Sequence, residues 1–384
     1  MDKKIVIIGP AYPYRGGNSL FVSHVFDSLS KVFDVKIYNY KLLYPSFLFP
    51  GSTQYDKSST TMLKAPNVRE VNSINPFNWI RVASKLKAED ADLIVFDWWH
   101  PFFGPCHFSI SQMIKSKYKN KILFITENVI SHEGNFVDKI LTKIGLRNSD
   151  RFLCLSEQVE KELKELARGK KVYRTELPVY DCYQSGETDT ASTKQMFGFN
   201  EDDKVLLFFG YVRTYKGLDI LIDAIPALLE NDKKFKLLIV GEFYDSPEKY
   251  ISQIKALNIE EHVKIINEFV ANEDVYKYYL SSDLVVLPYR SATQSGILNV
   301  AYGFSKPVLV TDVGGLAEFV DDEQTGVIVS EASPEKIKDG ILKYYSLAES
   351  VKFSENIIKR TSSNAFNNLP ELFKQILKDM ENDT

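Results

Sequence analysis

The residues best suited to chemistry gather in loops that follow apolar runs. At 210–217 the chain reads "GYVRTYKG": Gly210 closes the run "KVLLFFG", and Arg213 and Lys216 precede a long helical pattern. Arg213 offers a planar fork of donors and Lys216 a compact charge. Beside the positive end of a helix, both favour a phosphate or pyrophosphate. A second loop, "GPAYPYRGGNS" at 9–19, sets Gly16 and Gly17 ahead of another helical stretch, where a backbone without side chains lets a ligand come close. It lacks the G-x-G-x-x-G spacing, so a nicotinamide or flavin dinucleotide site is not supported. The third region, 288–315, contains "SATQSG" and then "VGG". There Ser295 and Gly296 fall where amides at a helix start cradle an anion, with Thr293 and Gln294 in the same loop. Singly, each loop has a plainer reading as a turn or a pair of solvated cations. Together they favour an anion site.

Such loops need elements to hold them. Apolar runs at 4–9, 34–39, 68–71, 92–97, 121–126, 151–156 and 171–176 alternate with helical stretches such as 17–31, 77–88 and 157–168. A second series follows at 204–210, 235–242, 263–269, 284–289, 307–312 and 326–330. Runs apolar throughout suit parallel strands covered on both faces. Alternation with helices predicts an α/β fold, twice over. After the cation loop, Leu218, Leu221, Ile222, Ile225, Leu228 and Leu229 form one helical stripe. The polar stretch 182–202 reads as an interdomain linker between a first domain at 1–181 and a second at 203–362. A final helix has Leu369, Leu372, Phe373, Ile376 and Met380 on one face, which needs an apolar partner.

A chain of 384 residues accommodates two domains, and 44% hydrophobic with 26% charged residues is ordinary for soluble protein. No apolar run approaches the roughly 20 residues that cross a bilayer. The start, "MDKKIVIIGPAYPYRGG", lacks the longer apolar core of a signal peptide, so a cytoplasmic location is expected. Cys106, Cys154 and Cys182 have no metal-ligand spacing and read as inert thiols. Residues 1–180 hold 26 Lys and Arg against 18 Asp and Glu, or +8; the remainder holds 21 against 33, or −12. One domain thus faces something anionic. The densest basic patch is Lys115, Lys117, Lys119 and Lys121. It is a solvated loop or a contact with an anionic membrane surface; an acidic chain without a binding module argues against nucleic acid. The aromatic loop 38–56, with Tyr44, Phe47, Leu48 and Phe49, suits core, acceptor pocket or membrane interface.

The order "GYVRTYKGLDILIDA", "LLIVGE", "VKIINEFVANEDVYKYYLSSDLVVLPY", "SATQSG" and "KPVLVTDVGGLAE" resembles the retaining family 4 glycosyltransferases of GT-B architecture over most of 204–330. "IIGPAYPYRGGNSLFVSHVFDSL" and "ENVISHE" resemble the family more weakly in the first half. The resemblance implies two Rossmann-like domains facing a cleft, with a nucleotide sugar held mainly by the second and the acceptor by the first. It also implies a last helix, from about 363, that crosses back to the first domain, and no metal or other cofactor. It matches Arg213 and Lys216 to the cations on the donor diphosphate, whose charge grows as the glycosidic bond breaks. It sets Phe269 and Val270 against the nucleobase, Thr293, Gln294, Ser295 and Gly296 in the donor loop, and Gly16 and Gly17 near the donor.

Two departures stand out. The common Glu-x7-Glu pattern would end at Ala292 and Val300, and no glutamate lies between 290 and 302. The usual first-domain histidine is replaced: Glu127 follows the strand, and His132 with Glu133 falls on the acceptor side or merely orients a loop. The implied activity is sugar transfer with retained configuration to a glycan or lipid-linked hydroxyl, as in cell-surface polysaccharide synthesis. A GT-B epimerase or phosphorylase and a non-catalytic sugar-nucleotide binder are the alternatives.

Overall fold

Strands buried on both faces leave no polar alternation in the sequence, and the two series of apolar runs form two all-parallel sheets. The computed structural model describes residues 3–49, 53–59, 63–129, 136–183, 189–244 and 246–383. The chain divides into two compact units: Met1–Asp56, Leu63–Pro178 and Asn364–Thr384 form the first, and Lys57–Met62 with Val179–Ser363 the second.

The first unit runs β1 (Lys4–Ile8), α1 (Gly17–Leu29), β2 (Asp34–Leu42), β3 (Asn67–Asn72), α2 (Pro76–Ala88), β4 (Leu93–Trp98), α3 (Gly104–Ile114), β5 (Ile122–Thr126), α4 (Phe136–Gly145), β6 (Arg151–Cys154), α5 (Glu157–Leu166) and β7 (Lys171–Arg174). Its seven strands lie in the order β3-β2-β1-β4-β5-β6-β7. Alternate residues point to opposite faces. Val6, Ile8, Phe96 and Phe124 pack with the layer of α2, α3 and α5. Ile5, Ile7, Val95 and Ile125 pack with α1 and the final helix.

The second unit runs α6 (Thr190–Met196), β8 (Lys204–Phe209), α7 (Leu218–Asn231), β9 (Phe235–Val240), α8 (Pro247–Ala256), β10 (Val263–Ile266), α9 (Val275–Leu280), β11 (Leu284–Leu287), α10 (Gly296–Gly303), β12 (Val308–Thr311), β13 (Gly326–Val329), α11 (Pro334–Leu347) and α12 (Phe353–Ser362). Its sheet order is β10-β9-β8-β11-β12-β13. In both sheets the order reverses beside the first strand of the unit, β1 or β8, the kind of point where ligands bind beyond strand ends. The last helix, α13 (Leu369–Asn382), buries Leu369, Phe373, Ile376 and Met380 in the first unit.

The stretch 182–202 is not a bare linker. It carries α6, capped by Asp189, whose side chain accepts from the Ser192 N–H at 2.9 Å. Lys194 of α6 is buried, donates to the Asp203 carbonyl at 2.7 Å and pairs with Asp283 at 3.2 Å. A helix of two turns gives too short a periodic signal to stand out in a Ser/Thr-rich sequence. In the aromatic loop, Tyr44 is half-buried and packs its ring on Phe102 and Phe103 at 5.3 and 5.2 Å, Phe49 is half-buried, and Leu48 is exposed. Cys106 and Cys154 are buried, and Cys182 is half-buried; all three are free thiols.

Candidate functional site

In the second unit three loops meet beyond the ends of β8, β11 and β12, and glycines set how closely. At Gly210 (φ 97°), a β-carbon would lie 3.0 Å from Ile297 Cδ1 and 3.3 Å from Lys216 Nζ. The first turn of α10 and the Lys216 ammonium therefore both rest over this glycine. Gly217 (φ 69°) ends the cation loop in the left-handed region and touches the Pro288 carbonyl so closely that a side chain would collide with it. Gly314 (φ 55°) does the same against the Ala292 carbonyl, which also accepts from the Gly315 N–H at 3.0 Å. These contacts join 210–217, 288–297 and 313–315 into one surface.

Arg290 fastens the cation loop. Its N–H donates to the Tyr215 carbonyl at 2.7 Å, and its Nη1 to the Thr214 carbonyl at 2.7 Å. The same guanidinium grips Asp219, in the first turn of α7, by two bonds of 2.9 and 2.8 Å. Partial burial would raise the Asp219 carboxyl, but the Arg290 hydrogen bonds hold it below the usual range.

Lys216 is the electrostatic oddity. It is buried, with 8% of its surface exposed, and among the described residues no carboxylate pairs with it. Burial, then the Arg213 guanidinium, pushes its ammonium down to about 7. Arg213 lies over the Tyr244 ring at 4.0 Å. Burial and the neighbouring guanidinium both disfavour the charged form of Lys216, and an anion beside it would favour that form. Ser295 N-caps α10 with no side-chain bond to the helix, and the first amides of a helix lack intrahelical acceptors. Gln294 Oε1 is buried and has no donor among the described residues. Thr293 and Ser295 are buried too. Asn299 and Tyr302 have structural partners: Asn299 Nδ2 donates to the Ser295 carbonyl, and Tyr302 Oη lies 2.8 Å from Thr325 Oγ1.

The structure thus brings together Lys216, Arg213, Ser295 and Gly296. Phe269 and Val270 are half-buried in the loop after β10, two strands away from β8 in the sheet. Ala292 and Val300, where the Glu-x7-Glu pattern would end, are both buried.

The first unit has its own polar focus. Gly16 (φ 100°) N-caps α1 and Gly17 begins it; a β-carbon on either would meet nothing within 4 Å among the described residues. The next residue, Asn18, donates from Nδ2 to Glu127 Oε1 at 2.8 Å. Glu127 is buried after β5, its N–H bonded to the Trp98 carbonyl at 2.9 Å, and burial lifts its carboxyl to about 7 against the opposing Asn18 bond. Asp97 on β4 is fully buried with neither oxygen hydrogen-bonded among the described residues; burial and then the Glu127 charge raise it well above its ordinary range. The two carboxyls titrate as a pair. Asn18 left no signal in the sequence; for Asp97 the one signal was an aspartate closing the run "LIVFD", where an apolar residue would pack better. His132 and Glu133 lie outside the described residues.

Anion binding beside Lys216 is expected to depend on pH: above about 7 the Lys216 ammonium gives up its proton, and a diphosphate bound there would restore it. Inorganic pyrophosphate is expected to bind about tenfold more weakly for each pH unit above that point. Titration calorimetry at pH 8 in two buffers of different ionisation heat should register proton uptake, and Lys216→Met should abolish it. Equal heats for the unaltered protein in both buffers would contradict this charge state.

Two Rossmann-like units with ligand-facing loops at their strand ends define the GT-B class of fold. Residues 189–362 match the family model of the glycosyl transferases group 1. The chain is 23% identical over 345 residues to an uncharacterized glycosyltransferase of Methanocaldococcus jannaschii, covering 88% of each chain. It is 27% identical over 222 residues to the D-inositol 3-phosphate glycosyltransferase of Segniliparus rotundus, a match spanning 56% of this chain and 49% of that protein. Among solved structures it is similar in fold to Anabaena HepE in complex with UDP and glucose (TM-score 0.75, 14% identity, 98% of this chain and 100% of that one). Sucrose-phosphate synthase from Thermosynechococcus elongatus is also similar (TM-score 0.71, 15% identity, 100% of each).

Proposed function

We propose that the protein moves a sugar from a nucleotide-diphosphate donor to a hydroxyl of a glycan or lipid-linked acceptor, with retention at the anomeric carbon. The observation that carries this is the buried Lys216, with no carboxylate partner among the described residues and with Arg213 beside it. In this reading the diphosphate lies against Lys216, Arg213 and the amides that open α10. Breaking the glycosidic bond leaves its electron pair on a phosphate oxygen. Fixed positive charge aimed at that oxygen lowers the barrier and needs no divalent ion. The acceptor oxygen bonds the anomeric carbon on the same face, and its proton passes to the departing phosphate. Gln294 Oε1, with no donor among the described residues, accepts from a sugar or ribose hydroxyl, and Phe269 with Val270 lies against the base. Gly16, Gly17 and Glu127 serve the first-domain side of the reaction, the carboxyl of Glu127 held near neutrality by burial.

The same reading places the enzyme in the cytoplasm at the inner face of a membrane, building a cell-surface polysaccharide. Among the described residues no helix is long and apolar enough to cross that membrane. A thermal-shift screen against UDP-, GDP- and ADP-sugars tests the donor, because a cognate ligand at a hundredfold its dissociation constant adds about 2.7 kcal/mol of stability. Product NMR with an acceptor panel then reads the anomeric configuration. No shift with any sugar nucleotide would overturn the reading, and a shift without turnover would leave a binder in place of an enzyme.

A further inference from the structure

Surface helices usually turn their large apolar residues inward; α4 does the reverse. Its buried positions are Thr142 and Gly145. Gly145 sits against the Trp98 ring, and Gly104 of α3 against the Leu141 carbonyl, each so closely that a β-carbon would clash. Small residues let α4 lie flat on the layer beneath it. Outward go Phe136, Ile140 and Ile144, 76%, 42% and 38% exposed. At about 3.6 residues per turn, Lys139 and Lys143, with Arg147 just past the helix, fall along one edge of that apolar strip. All three are exposed. The acid of this helix, Asp138, projects toward the inner side and is half-buried.

The same helix layer repeats the pattern. α2 packs on α3, and α3 on α4. On α2, Phe77 and Ile80 are 85% and 57% exposed, with Arg81 exposed beside them. An apolar strip bordered by cations, with no acid on its exposed arc, is complementary to a surface that is oily below and negative above. A second copy of this chain is a worse occupant. A two-fold pairing of α4 would face its basic row with the same row.

We infer that the outer face of α4, extended by α2, docks the protein on an anionic phospholipid bilayer. This deepens the membrane reading given above and names its surface. The basic patch singled out in the sequence is less available for the purpose: Lys117 is engaged by Asp90 at 3.0 Å and by the Lys87 carbonyl at 2.6 Å.

The test is co-sedimentation at low salt with phosphatidylglycerol/phosphatidylcholine vesicles, against vesicles of phosphatidylcholine alone. The unaltered protein should partition at least about tenfold better into the anionic vesicles. Lys139→Gln/Lys143→Gln should lose about thirtyfold of that binding, and Ile140→Ser/Ile144→Ser about tenfold or more. Both variants should melt at the temperature of the unaltered protein and keep its thermal shift with sugar nucleotides. That second readout separates a failure of docking from a failure of the donor assignment. No binding to anionic vesicles, or variants that bind as well as the unaltered protein, would overturn the inference. So would a dimer in sedimentation velocity that Ile140→Ser/Ile144→Ser dissolves while vesicle binding stays unchanged.

Discussion

Lys216→Met is expected to lower sugar transfer about a hundredfold or more and at the same time to raise the melting temperature at neutral pH. The two effects have one cause. On the reading proposed above, the ammonium faces charge that develops on the leaving phosphate, and removing one such group typically costs about 10²–10³ in rate. In the empty protein the same group is buried beside Arg213 without a counter-charge, so its ordinary value of 10.5 falls to about 7. The unfolded chain therefore takes up the proton first as the pH drops from 10.5 toward 7, and the folded state loses stability across that window. Methionine fills similar space with no charge to bury, so the loss disappears. Arg213→Ala is expected to slow transfer by a similar factor without the gain in stability, because it also gives up the stacking on Tyr244. Turnover with the cognate donor, read beside melting curves at pH 7 and pH 10, decides it. Rates within about twofold of the unaltered enzyme would remove both residues from the site.

Gly217→Ala should be among the most damaging single-methyl additions in the second unit. Two costs combine there. A non-glycine residue at φ 69° is strained by about 1 kcal/mol, and the added carbon collides with the Pro288 carbonyl oxygen. Neither side can yield freely, because Arg290 ties the cation loop to 288–290 through Tyr215, Thr214 and Asp219. A total of about 2–4 kcal/mol is expected, or a fall of roughly 5–10 °C in melting temperature for a unit of this size. Transfer should drop as well, since the clash displaces Lys216, the neighbouring residue. Gly16→Ala is the control: its φ of 100° brings strain, but no protein atom lies within 4 Å among the described residues. A Gly217→Ala protein as stable as Gly16→Ala would show that the two loops are not locked together.

Several of these features were legible from local pattern. The two series of apolar runs carry the strands, because a strand covered on both faces needs apolar residues at every position. The stripe from Leu218 to Leu229 lies buried on α7, since helical spacing is a property of neighbours in sequence. Gly210, Lys216, Ser295 and Gly296 could be named from the chemistry of a strand handing over to a helix. Contacts between distant residues were another matter. Asn18 reaches Glu127 across 109 positions, and Asp97 comes near Glu127 because β4 lies beside β5, with Asp97 paired to Ile125, two residues before Glu127. α6 was hidden by its brevity, and α4 by facing its small residues inward.

The sequence by itself determined that this chain would build two parallel sheets and present glycines and cations where strands end. Periodicity and turn chemistry depend on residues within a few positions of one another, so they survive reading without a structure. Tertiary structure alone decided that Lys216 would be buried with no carboxylate described beside it, that the Asp97 and Glu127 carboxyls would both be buried and interact, and that α4 would turn its oily side to the solvent. Burial, protonation and exposure are set by what packs against a residue from elsewhere in the chain, and no local pattern records that.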